Sequence, residues 1–208
     1  MKILFILIAL LIIWSVYGYF ASRVEKADYV VTKELEEYEI RTYAPHIVAQ
    51  TRVVGEYKDS LNSGFSIIAG YIFGGNTKQQ SIAMTAPVTE QLATFEKIAM
   101  TAPVQASIEG DSHIISFVMP RSYTLATLPR PNDARVELVE VPSQTMAVVR
   151  FSGWRTDSRV VSKKTKLIES LSRDGITVVG SPIYAGYNAP FTPPWMTRNE
   201  VMVQVKYK

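Results

Sequence analysis

The sequence predicts an α+β fold: a duplicated β-rich half with one main helix each, the halves closing into a distorted antiparallel β-barrel flanked by two helices. Three observations carry this. Alternating strand-like segments lead into a helical pattern twice along the chain. The second region repeats the first at an offset of 98, aligning Glu39 with Glu137, Ile40 with Leu138, Ala49 with Ala147, Arg52 with Arg150 and Gly55 with Gly153. Strand, strand, helix, strand then recurs in the same order, which is the signature of an internal duplication.

The 208 residues are 47% apolar and 20% charged, the balance of an ordinary globular protein. Setting aside Lys2 leaves 21 basic against 19 acidic residues, a net of +2, so nucleic acid is not indicated as a partner. There is no cysteine, which removes disulfides, thiolate metal sites and a cysteine nucleophile. His46 and His113 are the two histidines, too few for most metal or general-base schemes.

The chain opens with an uncharged apolar run from Ile3 to Ala21, preceded by Lys2 and followed by Arg23, Glu25 and Lys26. At about 1.5 Å per residue it just spans the hydrocarbon core of a bilayer. A cleaved signal peptide is the competing reading, with Val16 and Gly18 as a weak cleavage pair. Trp14, Tyr17, Tyr19 and Phe20 resemble an interfacial belt and favour an uncleaved anchor over residues 1–22, with the domain at 23–208 on the extracytoplasmic side.

In the first half, about 29–119, Tyr29 to Val31, Tyr38 to Tyr43 and Ile47 to Val54 read as strands. Tyr57, Leu61, Phe65, Ile68 and Ile72 recur at helical spacing, with Asp59 or Ser60 available as a cap and Gly74 and Gly75 ending the helix. Gly64 and Gly70 weaken that helix by roughly 1 kcal/mol each and signal close approach of a neighbouring element or of a flat ligand. Next the heptapeptide IAMTAPV occurs twice, at Ile82–Val88 and Ile98–Val104. Proline at its sixth place excludes a helix interior. Each copy therefore reads as a short strand and turn, the pair lying side by side next to the first helix. Met84, Met100 and Met119 read as core filling rather than as ligands.

Ile114 to Met119 is a further strand, and the proline-rich stretch Pro120 to Asp133 a connector. The second half, about 134–208, has a helix at Asp157 to Arg173 with Val160, the Lys164 stem, Leu167, Ile168 and Leu171 inward and Gly175 as its stop. That helix is rich in lysine and arginine, a solvated face or one suited to anionic lipid. Ile176 to Val179, Ile183 to Ala185 and the alternating Val201, Val203 and Val205 complete the strands. A groove between the halves is the natural ligand position.

Seven segments resemble one family. They are YEIRTYAP at Tyr38–Pro45, GFSIIAGYIFGGN at Gly64–Asn76, both IAMTAPV copies, FVMP at Phe117–Pro120, LPRPND at Leu128–Asp133 and AGYNAPFTPPWMTRNEV at Ala185–Val201. On these the chain resembles the SOUL haem-binding proteins. The resemblance implies a barrel shared with the effector-binding domains of transcription regulators. It also implies non-enzymatic binding of haem or another porphyrin beside the first helix, by a protein read as a monomer. Carried over, the cofactor-binding residues are Leu61, Phe65, Ile68, Ala69 and Ile72, with Tyr184 and Tyr187 on the opposite wall and Lys58, Lys78 or a residue of the second half for the propionates. His46, after Pro45 at a strand start, is the candidate axial ligand. Another amphipathic ligand, a lipid or a peptide, is the alternative occupant. Nothing in the sequence matches a GxSxG elbow, a P-loop, HExxH or a dinucleotide fingerprint, so an enzyme ranks below both.

Overall fold

Residues 2–92, 112–189 and 191–207 are described in a computed structural model, with the backbone alone at Tyr57, Lys58 and Leu92. The second IAMTAPV copy lies outside the described residues. The chain runs α1 (Lys2–Ala21), β1 (Glu25–Lys26), β2 (Tyr29–Glu34), β3 (Glu39–Tyr43), β4 (His46–Val54), α2 (Tyr57–Ile72), β5 (Thr85–Ala86) and β6 (Val88–Leu92). It continues with β7 (Ser112–Val118), β8 (Glu137–Val141), β9 (Gln144–Phe151), α3 (Asp157–Arg173), β10 (Thr177–Gly186), a 3-10 turn at Pro194–Met196 and β11 (Asn199–Lys206).

Among the described residues, nine strands form one antiparallel sheet in the order β2-β3-β9-β11-β10-β6-β7-β4-β8. From β3 to β8 that order mirrors itself, pairing equivalent strands of the two halves. β8 is β3 shifted by 98 positions, and β9 starts 98 positions after β4. β3 and its equivalent β8 each cross to the other half: Glu39–Tyr43 pairs with Val148–Gln144, and His46–Gln50 pairs with Val141–Glu137. Neither half completes its sheet without its counterpart.

Both main helices span the residues that their periodicity predicts. Thr156 caps α3, its hydroxyl accepting from the Arg159 N–H, and Gly175 at φ 67° takes the chain out of the helix. α2 starts after Glu56 without a side-chain cap, where Asp59 or Ser60 was expected; both lie inside the first turn. Gly64 is a close-approach position, since a Cβ there would stand 2.7 Å from Ile115 Cδ1, whereas Gly70 has nothing within 4 Å.

α2 packs on β4 and β7, and α3 packs on β9, β10 and β11. One face of the sheet is thereby covered by two cores. Ile68, Tyr71, Ile72, Ile115 and Phe117 fill the first, and Ile40, Ala147, Leu167, Leu171 and Val203 the second. Each fully buried leucine, isoleucine or phenylalanine contributes roughly 1.5–3 kcal/mol. Alternate residues of the same strands, among them Tyr43, Met146, Val148, Ala185 and Met202, form a third cluster on the opposite face with Val24, Ala27 and Tyr29 of the N-terminal strap.

The first IAMTAPV copy departs from expectation. Thr85–Ala86 pairs in parallel with Glu25–Lys26 outside the nine-stranded sheet, and only the last residue of the copy, Val88, enters that sheet as the start of β6. Ile82 and Met84 pack beneath α2, but Ala86 belongs to the cluster on the opposite face. The segment thus crosses the edge of the sheet between its two faces. The Thr85 hydroxyl fastens this crossing by donating to the Val118 carbonyl.

Candidate functional site: the helix-free face of the sheet

Away from the helices, the sheet curls around a cavity of about 320 Å³. Its apolar wall is Val48, Val118, Val141, Met146, Ile183 and Met202, and Gln50, Gln91, Gln144, Gln204, Thr89 and Ser116 add amide and hydroxyl groups. A second cavity of about 520 Å³ adjoins it, lined by the strap Glu25–Asp28, the Ala44–Ile47 corner, Met119–Arg121 and Glu140–Pro142. Ala27, His46, Val118 and Val141 line both. Small-molecule sites run to about 300–1,000 Å³ with mostly apolar walls and a few polar groups; both cavities have the volume, and the larger one is the more polar, with Glu25, Lys26, Asp28, Arg121 and Glu140 in its lining.

His46 is held where the cavities meet. Its Nδ1 lies 2.9 Å from the Ala44 carbonyl oxygen. A carbonyl oxygen only accepts, so Nδ1 carries the proton, and in the neutral ring Nε2 keeps the lone pair. This is the arrangement found in metal-binding histidines, where a hydrogen bond to one nitrogen orients the other. At the mouth of the larger cavity Arg121 donates to Glu25 at 3.0 Å and to Asp28 at 2.8 Å, tying the strap to the connector after β7. Glu25 is held below the usual carboxylate range, chiefly by the Arg121 backbone N–H and despite some desolvation.

Below Tyr43 the same face carries a buried charge network. Glu200 is fully buried and accepts from Arg41 Nη1 at 3.0 Å to each oxygen and from Arg198 Nε at 2.8 Å. Arg41 also donates to Glu39 at 2.7 Å and to the Tyr43 hydroxyl at 3.3 Å. The Arg41 guanidinium stacks over Tyr29, and that of Arg198 over Tyr187 at 4.0 Å. Burial works against the Arg41 charge, but Glu39 and Glu200 outweigh it and hold its pKa above the ordinary arginine value. Burial, then the charge of Glu200, raises the Tyr43 phenol. Tyr187 is pushed up too, chiefly by burial. The network lies on the same face as the smaller cavity, and Tyr43 belongs to both.

The structure distributes the expected site residues over three places. Ile68 and Ile72 are in the sheet-facing core, where they present no surface to a ligand. Leu61, Phe65 and Ala69 remain half-buried on α2, Phe65 against Phe117 at 5.1 Å between ring centroids. Neither cavity contains a residue of α2. Tyr184 and Tyr187 point to opposite faces of the sheet: Tyr184 joins the α3 core and donates to Asn199 at 2.7 Å, and Tyr187 joins the helix-free face. Of the eight, His46 lines both cavities. Lys78 donates to the Thr127 carbonyl, away from either.

Two arrangements were missed. His113 is buried and its Nδ1 lies 3.0 Å from Glu90 Oε1, also buried, on the helix-covered side of β6 and β7. The only sequence signal was a glutamate and a histidine inside otherwise strand-like segments. Arg41 and Glu200 carry a comparable signal, charged residues within strand-like segments. Among the described residues no three or more histidines and carboxylates group as a metal site.

The family model for "SOUL heme-binding protein" matches residues 24–204. The chain belongs to the SOUL haem-binding family. The SOUL relatives include mouse Heme-binding protein 2, 27% identical over 80% of this chain and 77% of that protein. Human Heme-binding protein 2 is 29% identical over 74% of this chain and 71% of its own. In structure, this SOUL chain resembles the EcmrR C-terminal domain with a TM-score of 0.59, at 13% identity, over 84% of this chain and all of that one. The likeness is one of fold and agrees with the expected effector-binding-domain architecture.

Proposed function

We propose that the protein binds haem or a related tetrapyrrole, without catalysis, in the paired cavities on the helix-free face of the sheet, with His46 as the iron ligand. Membership of the SOUL family supports the ligand class. The single observation that carries the location is His46 at the junction of two adjoining cavities, with Nδ1 committed to a carbonyl. The apolar walls suit a macrocycle, the glutamine amides its polar edge, and Lys26 in the lining of the larger cavity the carboxylates of its side chains. The α2 groove has less support, because Ile68 and Ile72 are spent in packing. α1 is a helix of 20 residues whose most apolar 18-residue stretch has a mean hydropathy of 2.5, long and apolar enough to cross a membrane, and in this reading it tethers the domain there.

Haemin titration of the full chain in lipid nanodiscs tests the location. Ser116→Trp fills the smaller cavity and is expected to weaken haemin at least about tenfold, equivalent to about 1.4 kcal/mol. Phe65→Ala on α2 is expected to retain haemin affinity. Loss with Phe65→Ala and retention with Ser116→Trp would move the ligand to the helix.

A further inference from the structure

The C-terminal part of α1 does not stand clear of the domain. Trp14 Nε1 donates to the Phe191 carbonyl at 2.7 Å, and the Trp14 ring meets Trp195 edge-on at 5.2 Å. Gly18 lets the helix and loop close: a Cβ there would stand 2.5 Å from Pro193 Cδ. Asn188 donates to the Ser22 hydroxyl at 2.7 Å, fixing the end of the helix to the same loop. Despite these contacts Phe191 is 82% exposed and Trp195 54%. Phe191 also adopts φ 64°, a left-handed backbone that a bulky residue takes only at a cost.

We propose that residues 191–195 form a membrane-inserted loop that seats the domain on the lipid surface beside α1. The inference rests on α1 being a membrane anchor. The level of the interface is marked by Tyr19 and Arg23: the Arg23 guanidinium donates to the Tyr19 hydroxyl and lies over its ring, an arrangement suited to the headgroup region. Trp14 lies five residues deeper, about 7–8 Å at 1.5 Å per residue. A loop bonded to Trp14 is carried to that depth, within the roughly 5–10 Å reached by interfacial elements. Lipid as the occupant follows from continuity, since the exposed rings of the loop extend the apolar surface of α1 itself, whose Ile12, Ile13 and Val16 are exposed around Trp14.

The chain lacks cysteine, so single cysteines can be spin-labelled directly. Full-length Phe191→Cys, Trp195→Cys, Ile8→Cys and Arg130→Cys would be placed in vesicles of phosphatidylcholine and phosphatidylglycerol, and collisions with oxygen and a water-soluble nickel chelate compared. The expected result is an oxygen-to-nickel ratio at 191 and 195 several-fold above that at 130. A lipid-like ratio at 8 with water-like ratios at both 191 and 195 overturns the loop and leaves the anchor standing. Water-like ratios at 8, 191 and 195 overturn both.

Discussion

His46 Nδ1 donates to the Ala44 carbonyl two residues upstream, 2.9 Å away, so the corner between β3 and β4 sets the tautomer of a histidine that lines both cavities. The corner is itself fixed by the crossed strands. β3 pairs with β9, β4 pairs with β8, and the Ser143 hydroxyl on the equivalent corner donates to the Tyr43 carbonyl at 2.9 Å. The duplication therefore positions the imidazole through pairing between halves.

The glycines of α2 predict opposite effects from the same substitution. Gly70→Ala meets open space and is expected to stabilise by up to about 1 kcal/mol through helix propensity. Gly64→Ala drives a methyl into the Ile115 side chain and is expected to cost about 1–3 kcal/mol. Urea denaturation of the two variants checks the sign of each; a stabilising Gly64→Ala would show that α2 sits further from β7 than described.

Glu200 neutralises two buried or half-buried arginines. Glu200→Ala leaves Arg41 with only the partly exposed Glu39 and is expected to destabilise by about 3–5 kcal/mol. Arg41→Met combined with Glu200→Met removes the Arg41–Glu200 pair, leaving Arg198 as the one arginine deprived of Glu200, and is expected to recover part of that loss. A double variant no more stable than Glu200→Ala, again by urea denaturation, would mean that the pair contributes more than it costs to desolvate.

Much of this fold was legible because its signals are local. The periodicity of Tyr57–Ile72 and Asp157–Arg173 needs only a few turns of helix to register, and the offset of 98 marked β3 and β8 as equivalents. The crossing of those strands between halves was not legible, because pairing partners about 100 positions apart leave no trace in either strand alone. The cavities were not legible for a related reason. In β4 both faces are buried, Val48 lining the cavity and Ala49 the core, so alternation does not say which face curls around a cavity. The apolar stripe of α2 was real, but Ile68 and Ile72 serve the sheet. The first IAMTAPV copy misled differently: its composition suits a strand, yet its partner is the two-residue β1, and after Ala86 the chain has already changed faces.

Whether His46 meets the iron in the paired cavities is read by titrating haemin and iron-free protoporphyrin into the full chain and into His46→Ala. His46→Ala is expected to lose the shifted Soret band and to bind haemin about tenfold or more weakly, a change of at least about 1.4 kcal/mol, while protoporphyrin affinity stays within about twofold. An unchanged haemin affinity and Soret band in His46→Ala would contradict ligation by His46.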